Sequence, residues 1–203
     1  MRFYRPLDHI LGTRLKVAIL RCLASDNLEL NGRQIALAVG ASPKPLNQAL
    51  TQLTREGVLV QRNVGRTHLF RINLESPLAK DLIVPLFQQE ATLLEDALQE
   101  ALADVPGLRS AILYGSVVRG EEGSFSDVDL LVVAADGASA QAVLEARAVS
   151  FLKSYGNVLS FTVLSRAEFC RRYLERDEFI HEVIRTGRVV AGQLPLELVY
   201  GSA

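Results

Sequence analysis

Asp127 and Asp129 stand one residue apart within an apolar stretch, and the pair Gly115 and Ser116 precedes them by about ten residues. On a β-strand, successive side chains alternate between faces, so both aspartates point to one side while Val128, Leu130 and Val132 point to the other. Two carboxylates held side by side repel each other. A divalent cation between them relieves the repulsion, and hard oxygen ligands of this kind suit Mg2+ or Mn2+.

The surrounding pattern supplies elements able to hold such a pair. From Pro106 onward, apolar runs and helical spacings alternate, which predicts strands at 110–114, 128–134 and 157–164. A short helix is expected from Ser116, a longer one at 139–154, a helical tail at 166–186 and a last short strand at 188–191. Taken alone, Gly115 and Ser116 are also what an ordinary turn shows, and Ser126 with Asp127 what a helix or strand cap shows. Those separate readings do not explain the four residues together.

Gly115-Ser116, Arg119-Gly120 and Ser126-Asp127-Val128-Asp129-Leu130 resemble the signature of the DNA polymerase beta-like nucleotidyltransferase superfamily, and most closely its minimal branch. The resemblance covers 106 to about 192 and implies an α/β nucleotidyltransferase domain with a small mixed sheet. It implies an NTP as substrate or ligand and Mg2+ or Mn2+ as cofactor, with Asp127 and Asp129 as metal ligands and catalytic residues. Gly115, Ser116, Arg119 and Ser126 then bind the nucleotide: Gly115 leaves its backbone open to the triphosphate, and Ser116 offers a hydroxyl and an N–H at a helix start. Arg119 is equally placed to meet phosphates or to pair with Glu121 or Glu122. Minimal members of the superfamily include forms that modify a partner protein in toxin-antitoxin pairs, so a protein hydroxyl joins small molecules and nucleic-acid ends among the acceptors. One departure stands out. The superfamily usually places a third carboxylate on a later strand, and here 157–164 reads NVLSFTVL, with Ser160 and Thr162 where an acid is expected. Glu168 is the nearest acid beyond it. A domain lacking that carboxylate can retain metal-nucleotide binding while losing turnover.

The first seventy residues read differently. Val17, Leu20, Leu23 and Ala24 recur at helical spacing behind Thr13, a suitable N-cap. A short helix follows at 31–39, then a break at Gly40, then a third helix with Ser42 as expected cap, Pro43 and Pro45 in its first turn, and Leu46, Leu50 and Leu53 on one stripe. Two strands at 58–62 and 67–72 enclose a turn with a basic tip. Helix, helix, helix and hairpin in this order resemble a winged helix-turn-helix DNA-binding domain; a protein-docking winged helix has the same order. The resemblance implies duplex DNA as partner, read by Lys44, Asn47, Gln48, Thr51, Gln52 and Arg55 on the third helix and by Arg62 and Arg66 on the wing. His68 is read as a surface or structural residue.

Charge agrees with this division. The formal net charge is -1, yet residues 1–73 carry 11 Lys+Arg against 4 Asp+Glu and the remainder 11 against 19, so the parts stand at +7 and -8. A basic first part suits a polyanion. No apolar run approaches the roughly 20 residues of a membrane span, no secretory leader pattern is present at the N-terminus, and Cys22 and Cys170 lack metal-site spacing, so a cytoplasmic protein with two free thiols and no membrane partner is expected. The expected class is α+β in two domains: a winged helix-turn-helix at 1–75, a linker helix at 76–104 kinked near Pro85, and the nucleotidyltransferase domain at 105–203. The amphipathic linker can fold back on either domain or pair with its twin in a homodimer.

Overall fold

The computed structural model describes residues 5–25, 28–121, 123 and 126–201 of the 203-residue chain. The chain forms two compact units, Met1–Leu93 and Leu94–Ala203. Each has its own apolar core.

In the first unit, α1 (Pro6–Ile10) precedes α2 (Arg14–Ala24), whose N-cap Thr13 accepts the Lys16 N–H at 3.2 Å. Lys16 is itself buried and satisfies its ammonium by donating to the His9 carbonyl at 2.6 Å. The two-residue strand β1 (Leu30–Asn31) runs into α3 (Gly32–Val39), where Asn31 and Gln34 form a reciprocal capping box. Gly40, at φ 63°, ends α3 in the left-handed conformation that glycine tolerates. Next comes α4 (Pro43–Arg55). Ser42 occupies its N-cap position, as expected from the sequence, but its hydroxyl makes no capping bond, and Pro43 presets the first turn instead.

Leu46, Leu50 and Leu53 of α4 are fully buried against Ile19, Leu20, Leu23 and Ile35, so the leucine stripe is the helix's inner face. β2 (Leu59–Val64) and β3 (Thr67–Ile72) form an antiparallel hairpin closed by Gly65 and Arg66, with Gly65 at φ 59°. β1 pairs along the other side of β3 and completes a small sheet in the order β1-β3-β2. The unit has a winged helix-turn-helix fold. Beyond it, Leu78–Ile83 winds as a π-helix directly into α5 (Val84–Leu102). Pro85 has no N–H to give to an earlier carbonyl, and the wider π turns fall where that bond is lost.

The second unit is a four-stranded sheet between helical layers. β4 (Leu108–Tyr114), α6 (Ser116–Arg119), β5 (Val128–Ala134), α7 (Gly137–Tyr155), β6 (Leu159–Leu164), α8 (Arg166–Leu174), α9 (Glu178–Thr186), β7 (Arg188–Gly192) and α10 (Pro195–Tyr200) follow in order. The sheet runs β6-β5-β4-β7, with β5 and β6 parallel and the other pairs antiparallel. Leu113, Leu130 and Val132 pack toward α5 and α7, whereas Ile112, Leu131 and Val133 pack toward α8, α9 and α10. A central strand buried on both sides explains the unbroken apolar run 130–135. The helical tail expected at 166–186 is two helices, broken where Arg176 adopts φ 60° and the Asp177 side chain caps α9.

Candidate functional site

Val128 opens β5, so Asp127 lies just ahead of the strand and Asp129 is its second residue. Two hydrogen bonds anchor the approach. Asn157 donates its side-chain amide to the Ser126 carbonyl at 2.9 Å, and the Val128 N–H reaches the Val158 carbonyl at 2.8 Å. The Ser126 hydroxyl turns back to accept the Gly123 N–H at 2.8 Å, which ties down the end of the preceding loop. Asp127 is exposed and Asp129 half-buried.

Register brings the glycine to the aspartate. Tyr114, the last residue of β4, is paired directly with Asp129, so the next residue, Gly115, turns beside that carboxylate. A Cβ on Gly115 would collide with Asp129 Oδ2 and lie 3.3 Å from its Cγ. Gly115 also adopts φ 86° and ψ -157°, a conformation essentially confined to glycine. Only glycine fits against Asp129 here, for two independent reasons. Burial, and then the negative charge of Asp127, push the Asp129 carboxyl above the usual aspartate range. The second cause is the electrostatic mark of two carboxylates sharing one site.

Ser116 begins α6, a single turn too short for an appreciable macrodipole, so what it offers an anion is its own N–H and hydroxyl. Arg119, at the other end of α6, is exposed and donates to Glu121 at 2.7 Å, with Glu182 of α9 adding a second negative charge nearby. Of the two roles open to Arg119, the ion pair is therefore formed. Glu122, the other partner named for it, lies outside the described residues.

Opposite Asp129 on β6 stands Ser160, and Thr162 is opposite Leu131. Of the two residues that stand where the sequence leads one to expect an acid, Ser160 is the one immediately beside Asp129. Glu168 does not supply that acid: α8 leaves from the far end of β6, where Leu164 pairs with Val133, about 13 Å along β5 from Asp129 at the usual strand rise. Among the described residues, no cluster of three or more His, Cys, Asp or Glu side chains is placed to hold a metal ion. Two carboxylates suit one hard divalent ion, which would need further oxygen ligands from outside the protein. They do not fit a protein-bound pair of ions.

Two contributors escaped the sequence reading. Tyr114 forms part of the floor of the site: burial and the nearby Asp129 charge raise its phenol above the usual range, and Phe179 of α9 meets its ring edge-on at 5.4 Å. Its signal was its position immediately before Gly115 with the same strand parity as Ile112. Asn157 had no signal, because its role depends on the fold returning it to Ser126. His181 lies on α9 with its ring stacked on Tyr173 at 4.9 Å, and Glu182 pairs with Arg185.

In the first unit, Lys44, Asn47, Gln48, Thr51, Gln52 and Arg55 are all exposed, and Thr51 spends its hydroxyl on the Asn47 carbonyl. They form the outer face of α4, opposite the buried leucines. Arg66 is exposed at the hairpin tip. Arg62 is also exposed, but its guanidinium forks onto the Glu29 carboxylate, with the Nε bond at 2.9 Å. His68 shares hydrogen bonds with Asn63 and Gln61 along the wing.

Residues 96–193 match the family described as Polymerase beta, Nucleotidyltransferase. The second unit carries a polymerase beta-type nucleotidyltransferase domain. The nucleotidyltransferase match takes in the Gly115, Ser116, Asp127 and Asp129 arrangement and all four strands of its sheet. No curated protein matches the chain. Among solved structures, the chain is similar to the AntR antimony-specific transcriptional repressor at 24% identity, covering 46% of this chain and 78% of that one with a TM-score of 0.37. It is similar at 22% identity to the homodimeric winged helix-turn-helix DNA-binding domain Mb0332 from Mycobacterium bovis, covering 47% and 81% with a TM-score of 0.36. A toxin-antitoxin structure with AMP-PNP is similar at 19% identity, covering 52% and 80% with a TM-score of 0.37.

Proposed function

We propose that this protein is a DNA-binding regulator whose nucleotidyltransferase domain binds a divalent metal-NTP complex at Asp127 and Asp129. The observation that carries the reading is the close packing of Gly115, which only a residue without a Cβ allows, on the half-buried Asp129 carboxylate under the charge of Asp127. Asp127 and Asp129 would hold Mg2+ or Mn2+, and a bound ion supplies charge neutralisation for the triphosphate. Gly115 admits the phosphates to the backbone, Ser116 donates its N–H and hydroxyl to them, and Ser126 keeps the loop before Asp127 in place. Arg119 can reach phosphate by releasing Glu121.

On the DNA side, α4 presents amide side chains suited to adenine edges between two cations, Lys44 and Arg55, suited to phosphates, with Arg66 at the wing tip. No described helix is long and apolar enough to cross a membrane, and a DNA partner would be met in the cytoplasm.

The hydroxyl of Ser160 at the third-acid position favours nucleotide binding over turnover. A second reading, NMP transfer to an acceptor hydroxyl on a protein, a small molecule or a nucleic-acid end, is favoured by the intact approach from Gly115 to Asp129. In that reaction the acceptor oxygen bonds to the α-phosphorus as the bond to the leaving pyrophosphate breaks, and the acceptor proton passes to solvent. Incubation with α-labelled NTPs, Mg2+ or Mn2+ and cell extract separates the readings. Label transferred by wild type and not by Asp129→Asn establishes transfer. Nucleotide bound by wild type, lost in Asp129→Asn and never transferred establishes the sensor. No binding and no transfer refutes both.

A further inference from the structure

The wing carries three arginines, and Glu29 changes what they present. In the small sheet, Leu30 pairs with Phe70 and Asn31 with Leu69, so Glu29 falls at the position facing Arg71. From there its carboxylate reaches across β3 and accepts both arms of the Arg62 fork. Arg62 and Arg71 leave the hairpin on one face, since Val60 pairs with Arg71 and Arg62 with Leu69. Both cations therefore surround one carboxylate, and together with Arg62's hydrogen bond they hold the Glu29 carboxyl below the usual range. The Glu29 side chain is 26% exposed and that of Arg62 60%, so the acid is tucked in while the base is not. Arg66 has no such neighbour: among the described residues no ion pair or side-chain hydrogen bond engages it.

We propose that Glu29 is an electrostatic brake on the wing, neutralising Arg62 so that, of the two exposed arginines of the hairpin, only Arg66 is offered to duplex DNA, while Arg71 is half-buried with its guanidinium turned to the Ile72 carbonyl. The inference rests on the DNA-binding reading of the first unit and narrows its surface to the outer face of α4 and the wing tip. A phosphate can recruit Arg62 only by displacing a carboxylate already satisfied by two hydrogen bonds. Such displacement returns one charge-assisted interaction for another and releases little counterion-driven free energy.

Binding to a labelled duplex, followed by fluorescence anisotropy between about 50 and 200 mM salt, tests this in the full chain. Arg66→Ala weakens binding and flattens the slope of log K against log salt by about 0.9, the value for one phosphate contact. Arg62→Ala removes no phosphate contact but leaves Glu29 with Arg71 alone, so it costs less than Arg66→Ala. Glu29→Gln tightens binding at low salt and steepens the slope by about 0.9, so the affinity ratio across that salt range grows about 3.5-fold. The double variant Glu29→Gln with Arg62→Ala returns to wild type. Asp81→Asn, which makes the same change in net charge on the π-helical turn, has no effect. A weaker or unchanged Glu29→Gln, or an Arg62→Ala as damaging as Arg66→Ala, overturns the brake while leaving DNA binding standing. Absence of salt-sensitive duplex affinity in wild type and Glu29→Gln alike refutes the DNA reading itself.

Discussion

Asp129 is kept in a position that folding alone disfavours. Its carboxyl pKa is raised by burial and by Asp127, so the native state binds a proton more tightly than the unfolded chain does. Stability of the metal-free protein therefore falls as pH rises from about 3.8, the ordinary aspartate value, through the raised native value. Asp129→Asn should remove that slope and raise the melting temperature in EDTA at neutral pH. Mg2+ with NTP should stabilise wild type and leave Asp129→Asn unmoved. A lower melting temperature for Asp129→Asn in EDTA would show that the carboxylate is structural. Gly115→Ala should act in the opposite sense. An alanine there adopts a backbone conformation costing about 1–3 kcal/mol and drives its Cβ into Asp129 Oδ2. Thermal melts should show destabilisation, and nucleotide titrations a loss of binding.

The elements explain why the sequence revealed some of this arrangement and not the rest. Leu46, Leu50 and Leu53 declare α4 through helical spacing, and their burial makes Leu50→Ala cost about 2–5 kcal/mol by leaving a cavity, measurable by denaturant unfolding. β5 declares itself through its double-sided burial. By contrast, β1 has two residues and no periodicity to read; it exists because β3 offers it an edge. The break between α8 and α9 has no glycine or proline to mark it: Arg176 takes the left-handed conformation because both flanking helices pack on the sheet. In the site, the chemistry-bearing pairs were legible in residue type and spacing. The pairings of Asp129 with Tyr114 and Ser160, and of Asn157 with Ser126, became visible only once strand register was known. That register yields its own prediction. Ser160→Asp restores an acid next to Asp129, so it should lower stability in EDTA by adding a third like charge. In the presence of a non-hydrolysable NTP it should raise the number of Mn2+ ions bound per chain from one to two, counted by electron paramagnetic resonance. An unchanged count would mean that Ser160 does not stand at the third-acid position.

For the molecule as a whole, the first unit carries 12 Lys+Arg against 7 Asp+Glu and the second 10 against 16, and these net charges of +5 and -6, with separate cores, suit the different partners proposed for the two units. Hydrogen exchange should show duplex DNA protecting α4 and the hairpin, and Mg2+-NTP protecting the segments around Gly115, Asp127 and Ser160. Protection of the hairpin by NTP alone would contradict the assignment. Whether the carboxylate pair beside Gly115 holds a metal-nucleotide complex is decided by titration calorimetry with a non-hydrolysable NTP and Mg2+, comparing wild type with Asp127→Asn and Asp129→Asn. One metal-dependent nucleotide site per chain is expected, abolished by EDTA and by Asp129→Asn and weakened by Asp127→Asn. Wild type that binds no nucleotide, or variants that bind it as tightly as wild type, would contradict that expectation.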